Sequence, residues 1–338
     1  MAQGLLAQDR LQAVATRPRQ GVFFVARVVV DERVKGLIEA IGRDNTSGAV
    51  ALTVQGAEAL ALLARLSQAR SAAGFQTELL EAGQALIRAQ PAMASLFNLV
   101  NAVLLAVEGA EDLEAMRETV RERAQGFAAE LEQRSQRIAE ATLELIHEGA
   151  TVMTLSYSAT VLAALLRARG AGKRFQVLCP ESRPQREGLA LARRLGAEGV
   201  EATVIVDAAM AHFMDGVQLA LVGADSLSVR GLVNKVGTWG LALAARASSV
   251  PFYALCGTEK FLPTSRLSHL RIEERDPREI LPEPAPHVTA VNVYFDLTPL
   301  ELLTGVVTER GLLSPQEIER ALDAISVHPA LTMSYTGG

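Results

Sequence analysis

Two short stretches in the second half of the chain carry residue types suited to proton transfer and phosphate binding. The first is Leu219-Ala-Leu-Val-Gly-Ala-Asp225, an apolar run that ends in a carboxylate. A carboxyl group there, partly shielded from water, has a raised pKa and can act as a general acid. It can equally cap the turn that follows, residues 226–231. Next comes Val233-Asn234-Lys235-Val236-Gly237-Thr238, read as the entrance to a helix that runs to about Ala247. Asn234 and Lys235 at a helix start would hold sugar hydroxyls and a phosphate.

The second stretch is Thr154-Leu155-Ser156-Tyr157-Ser158-Ala159-Thr160, ahead of a helix over 161–169. Its hydroxyls and free backbone N–H groups suit an anion, and N-capping by Ser156 or Ser158 explains the same residues without a ligand. No G-x-S-x-G elbow surrounds Ser156, and no base is visible beside it, which argues against a nucleophile. In Glu181-Ser182-Arg183-Pro184, Arg183 could take a phosphate or pair with a neighbouring carboxylate. Pro184 fits the first turn of the next helix. The five histidines show no metal-ligand spacing, so no zinc site is expected; no other cofactor is expected either.

These residues need a frame, and the periodicity supplies one. Between residues 31 and 146 apolar side chains recur every three to four positions. The longest amphipathic pattern runs from Leu113 through Phe127 to Leu145, and Gly42, Gly48, Gly74 and Pro91 divide what precedes it. After Gly149 the period changes. Short apolar runs at 151–156, 175–180, 202–207, 219–225 and 251–256 alternate with helix-like segments, the pattern of a parallel sheet covered on both faces. Such sheets bind ligands beyond the carboxyl ends of their strands, where Ser156, Glu181, Asp207, Asp225 and Cys256 all fall. The stretch 257–287 is poor in apolar residues and carries five prolines. It reads as a long excursion, a lid or a plain surface loop, before a last strand near 289–295. The chain is α/β, with a helical domain over 1–148 and a sheet domain over 149–338.

Composition narrows the function. Hydrophobic residues are 49% and charged residues 21% of 338, ordinary for a globular protein. A net charge of −5 offers no basic excess to displace counterions from nucleic acid. Residues 1–19 lack a seven-residue apolar core and no run of 18 apolar residues exists, so a soluble, cytoplasmic protein without a membrane anchor is expected. Cys179 and Cys256 read as buried thiols in a reducing compartment.

Taken in order, Arg43-Asp-Asn-Thr-Ser-Gly-Ala49, Gln90-Pro-Ala-Met-Ala-Ser-Leu-Phe-Asn98, Glu181-Ser-Arg-Pro184, Gly223-Ala-Asp225, Asn234-Lys-Val-Gly-Thr238, Pro251-Phe-Tyr253 and Phe295-Asp-Leu-Thr-Pro299 with Thr308-Glu309 span almost the whole chain. The set resembles the family that joins the α, β and δ regulatory subunits of translation initiation factor 2B to the isomerases of methylthioribose 1-phosphate and ribose 1,5-bisphosphate. The resemblance implies a helical N-terminal domain, a Rossmann-like C-terminal domain and homodimerisation through the latter. It implies Asp225 and the residue at 156 as catalytic positions, with Gly48, Ser158, Arg183, Asn234 and Lys235 on a small phosphorylated metabolite. The isomerases carry a Cys where this chain has Ser156, and an Arg where it has Ser47. A serine hydroxyl needs a partner base to match a thiol. The resemblance therefore leans toward a regulatory, non-catalytic protein that binds a sugar phosphate or nucleotide, with an aldose–ketose isomerase as the alternative.

Overall fold

The computed structural model describes residues 30–332. The reading of residues 1–19 and the outer ends of both domain assignments lie outside that range. Five helices come first: α1 (Glu32–Arg43), α2 (Ala49–Leu66), α3 (Ala72–Ala89), α4 (Ala94–Ala106) and α5 (Leu113–Thr142). Their starts follow from capping chemistry. The side chains of Asp31, Ser71 and Asp112 accept from the N–H groups of Arg33, Gly74 and Ala115, satisfying donors that the helix itself cannot. Of the residues expected as breaks, Gly48 and Pro91 stand between helices, whereas Gly42 and Gly74 sit inside terminal turns.

α2 and α4 are apolar on nearly every side, and Leu52, Leu60, Leu63, Leu96 and Leu99 are buried with at most 1% exposure. Gly56 permits this packing, because a Cβ there would lie 2.7 Å from a methyl of Leu96. By length and composition α2 is the one described helix that could cross a bilayer, but half of it is buried within this bundle.

The second half holds a seven-stranded sheet. Its strands are β1 (Thr151–Met153), β2 (Gln176–Pro180), β3 (Glu201–Ile205), β4 (Leu219–Val222), β7 (Phe252–Leu255), β11 (Gly305–Thr308) and β12 (Gly311–Leu313). They stand in the order β12-β11-β7-β4-β1-β2-β3, all parallel except the edge strand β12. The strand order departs in opposite directions from β1, toward β2 on one side and β4 on the other, which opens a crevice at their carboxyl ends. Alternate side chains of each strand face opposite cores. Val152, Val177 and Leu221 join α6 (Ala159–Gly170), α7 (Glu187–Ala197) and the end of α5 on one face. Met153, Leu178 and Ala220 meet α8 (Met210–Phe213), α9 (Thr238–Ala247) and α10 (Pro315–Asp323) on the other. Burial on both faces is why these strands read as continuous apolar runs. A short helix, α11 (Pro329–Thr332), returns Leu331 to the helical core.

Several expectations are corrected here. Residues 226–231 form β5 (Ser226–Ser228) and the turn into β6 (Gly231–Lys235), so Asn234 and Lys235 lie on a strand and α9 begins three residues later. Residues 289–295 yield β9 (Asn292–Val293) and the start of β10 (Phe295–Thr298). β9 pairs with β8 (Glu274–Arg275), and β10 with β6, so neither joins the main sheet. The last parallel strand of the main sheet is β11, which periodicity did not reveal. Four residues of β-branched and small type carry too little pattern to stand out.

Two substitutions test this packing. Leu60→Ala should destabilise by about 2–5 kcal/mol through the cavity it leaves. Gly126→Ala, on α5 with open space around the new methyl, should stabilise by about 0.5–1 kcal/mol. Urea denaturation reports both, and a neutral Leu60→Ala would contradict a close-packed bundle.

Candidate functional site

The crevice at the ends of β1 and β4 is a cleft of about 300 Å³, closed on its far side by the loop before α2. The main chain after β1 forms its floor. Ser156 adopts a left-handed conformation (φ 68°), held by donation of its N–H to the Oγ of Ser182 at 2.8 Å. The N–H groups of Ser182 and Arg183 in turn donate to the carboxylate of Asp207, both at 2.7 Å. Asp207 thus positions a loop and does not reach the cleft. Ser158 caps α6, its Oγ accepting from the Val161 N–H at 3.3 Å. The end of β4 passes directly over it. A Cβ on Gly223 would lie 2.5 Å from the Ser158 Oγ, so a side chain at 223 would push the two strand ends apart.

Across the cleft, Gly48 has no side chain with which to cap α2, and Ala49, Val50 and Ala51 of its first turn line the cavity. Uncapped N–H groups at the start of an 18-residue helix are suited to an anion. The preceding loop is fixed by Asp44, which accepts from the N–H groups of Thr46 and Ser47 at 2.9 Å each. Burial pushes the Asp44 carboxyl up, but these hydrogen bonds outweigh it and hold the group below its ordinary range.

The charged groups lie between these two helix starts. Asp225 is fixed through its main chain by Val233 and Ala94, while its carboxyl has no hydrogen-bond partner among the described residues. Burial pushes it up to about 6, against the pull of Lys260 and Lys235 and with a further push from Glu187. Lys235 is 4% exposed, donates to the Oε1 of Glu187 at 2.7 Å and lies over the Tyr294 ring at 5.0 Å. Lys260 is equally buried, lines the cleft and has no partner among the described residues. Asn234 donates to Thr238 at 3.0 Å, which leaves its carbonyl oxygen toward Gly223. Asp296 closes the back of this wall by accepting from the N–H groups of Gly237 and Trp239 at 2.8 and 3.1 Å. Burial raises its carboxyl to about 6 as well. Tyr294 is fixed by its hydroxyl, which donates to Glu279 and accepts from Gln185.

The cleft therefore gathers Gly48, Ser156, Ser158, Asp225, Asn234 and Lys235. Arg183 is not among its lining residues and its side chain is exposed. Pro184 precedes α7 rather than opening it. Neither cysteine lines the cleft. Burial pushes the Cys179 thiol up to about 12 and that of Cys256 higher still. Sequence reasoning missed Glu187, Lys260, Arg275 and Tyr294. Lys260 stood four residues beyond the Cys256 strand end, within reach of the rule that pointed to Asp225. The others come from segments that only folding brings together. Among the described residues no three His, Cys, Asp or Glu side chains converge as a metal site.

A partly shielded, unpaired carboxylate costs stability in the ionised form. Asp225 titrates near 6 when folded against 3.8 as a free side chain, so the folded state holds this proton more tightly. The cost is full above about pH 6, shrinks as pH falls and is gone below about pH 4. Asp225→Asn should then be more stable than the parent by about 2–3 kcal/mol at about pH 8. The gain should fall below about 1 kcal/mol at about pH 4. Equal urea midpoints at the higher pH would contradict this.

Residues 45–315 match the model of the initiation factor 2 subunit family. The ribose 1,5-bisphosphate isomerase of Archaeoglobus fulgidus is 35% identical over 258 residues, covering 75% of this chain and 82% of that protein. The solved translation initiation factor eIF-2B of Pyrococcus horikoshii superposes with a TM-score of 0.76 at 34% identity, over 85% of this chain and 99% of the other. The 5-methylthioribose 1-phosphate isomerase of the same organism gives 0.67 at 27% identity, over 86% of each. With most of its length matched and the cleft at the strand-order reversal, the chain belongs to the initiation factor 2 subunit family.

Proposed function

We propose that this cleft binds a phosphorylated ribose and isomerises it from aldose to ketose; two relatives are named as isomerases of ribose 1,5-bisphosphate and of 5-methylthioribose 1-phosphate. In this reading the helical domain contributes one wall, through residues 44–51, 90 and 93, and the sheet domain the other. The phosphates sit at the starts of α2 and α6, with Lys260, Lys235 and Arg275 as counter-charges. The observation that carries the reading is Asp225. A site made only to hold an anion gains nothing from a carboxyl group, which repels phosphate when ionised. A carboxyl near 6 without a partner is suited to protonating a ring oxygen and opening a furanose near neutral pH.

A non-catalytic, regulatory protein that binds the same metabolite is the second reading, and Ser156 favours it. No base is hydrogen-bonded to its hydroxyl among the described residues. A homodimer through the sheet domain belongs to either reading. Trp239 and Leu243, one turn apart on α9, are 38% and 50% exposed, as is Phe213 at 40% on the neighbouring α8, and a second copy would cover them. The two free cysteines fit a cytoplasmic location.

Incubation with ribose 1,5-bisphosphate and with methylthioribose 1-phosphate, followed by NMR, separates the readings. Ketose formation is expected, with kcat falling at least about 100-fold in Asp225→Asn. Ligand-induced melting shifts without any conversion would replace this reading with the regulatory one. Light scattering tests the dimer: Trp239→Glu should halve the molar mass, and a parent already monomeric would refute it.

A further inference from the structure

We infer that Glu187 is the second acid–base group of the cleft, the one that takes a hydrogen from carbon. The inference rests on the isomerase reading above. Moving hydrogen between two carbons needs a base besides the acid that opens the ring, and most titratable groups here are already committed. Asp44 accepts three hydrogen bonds on Oδ1 from Thr46 and Ser47. The Tyr294 hydroxyl donates to Glu279. Lys235, Lys260 and Arg275 are cations, suited to phosphate rather than to proton abstraction. Ser156 has only its main-chain N–H engaged, by Ser182, and nothing activates its hydroxyl.

Glu187 differs from all of these. Lys235 donates to its Oε1 at 2.7 Å, while its Oε2 is buried without a hydrogen-bond partner among the described residues. The carboxylate is clamped at one oxygen and unpaired at the other. It is also the first residue of α7, where the helix favours a negative charge. Leaving a buried carboxylate oxygen unpaired is costly, and the cost is relieved when a ligand occupies the cleft. Glu187 and Asp225 line the same cleft, and the Glu187 charge acts on the Asp225 carboxyl.

The chemistry balances with these two groups alone. Protonated Asp225 gives its proton to the ring oxygen as the bond from that oxygen to C1 breaks, and the bonding pair stays on oxygen. Glu187 Oε2 takes the hydrogen of C2 as a proton, and the C2–H pair becomes the C1–C2 double bond of an enol phosphate. Glu187 then returns the proton to C1. The C2 hydroxyl proton passes to Asp225 as its O–H pair forms the ketone. Both carboxyl groups end as they began.

The test uses the full chain with ribose 1,5-bisphosphate. Ketose is followed by NMR, and melting temperature is read with and without substrate. Glu187→Gln should keep the ligand-induced rise in melting temperature and lose at least about 100-fold in kcat. A loss under about threefold overturns the assignment and leaves the isomerase reading standing. Loss of the melting shift together with turnover also overturns it, because Glu187 would then be a binding group. If Glu187→Gln does not melt cooperatively, Glu187→Asp decides. Its shorter side chain should cost about tenfold or more in kcat with binding retained, and an unchanged kcat overturns the assignment. A parent that makes no ketose refutes the isomerase reading itself, and does so without any variant.

Discussion

The turn after β1 and the end of β4 pass so closely at Gly223 that an added Cβ would lie 2.5 Å from the Ser158 Oγ and 2.7 Å from the Ser158 Cβ. The sheet-domain side of the cleft is set by this approach. On one side it seats Ser158 as the cap of α6 and leaves Ser156 at the floor. On the other it delivers Asp225, two residues later, to the place where the strand order reverses. A backbone contact tight enough to exclude a methyl group transmits position well, because close-packed atoms have no slack to absorb a shift.

Charge is then arranged around that fixed point. Two lysines at 4% exposure face Asp225 and Glu187, and one ion pair, Lys235 to Glu187, joins members of the two sets. Placing two buried cations beside two partly shielded carboxylates with one direct pair is a poor way to stabilise a fold. It is reasonable for a site whose remaining partners arrive with the ligand. The uncapped start of α2 adds neutral donors to the same cavity, contributing positive potential without another side chain to desolvate.

The helical bundle supplies more than a lid. Ala94 donates to the carbonyl of Asp225, and Asn98 donates to the carbonyls of Glu259 and Phe261 on either side of Lys260. α4 therefore fixes the main chain that carries Asp225 and Lys260. Asp296, from β10, fixes the start of α9 behind Lys235. Side chains in the cleft are held by elements distant in sequence, which keeps their geometry independent of any single loop.

Much of this was legible in the residues themselves. Helical periodicity from 31 to 146 and apolar runs after 149 reflect which faces are buried, and burial is what hydrophobic patterning records. Asp225 and Ser156 could be placed at strand ends because parallel sheets bind ligands there. Asn234 and Lys235 could be singled out by type, though not by element. The run from Val233 to Ala247 is compatible with helix throughout, and only pairing with β5 and β10 makes its first part a strand. Arg183 illustrates the reverse case, a residue suited to phosphate whose side chain the loop leaves in solvent. Glu187, Lys260, Arg275 and Tyr294 come from four separate segments, and their convergence depends on the order of strands and the pairing of β6 with β10. The sequence alone thus determined the elements and the kinds of chemistry available. Tertiary structure decided which side chains share a cavity and which carboxyl is left unpaired, because desolvation and proximity are properties of packed neighbours rather than of spacing along a chain.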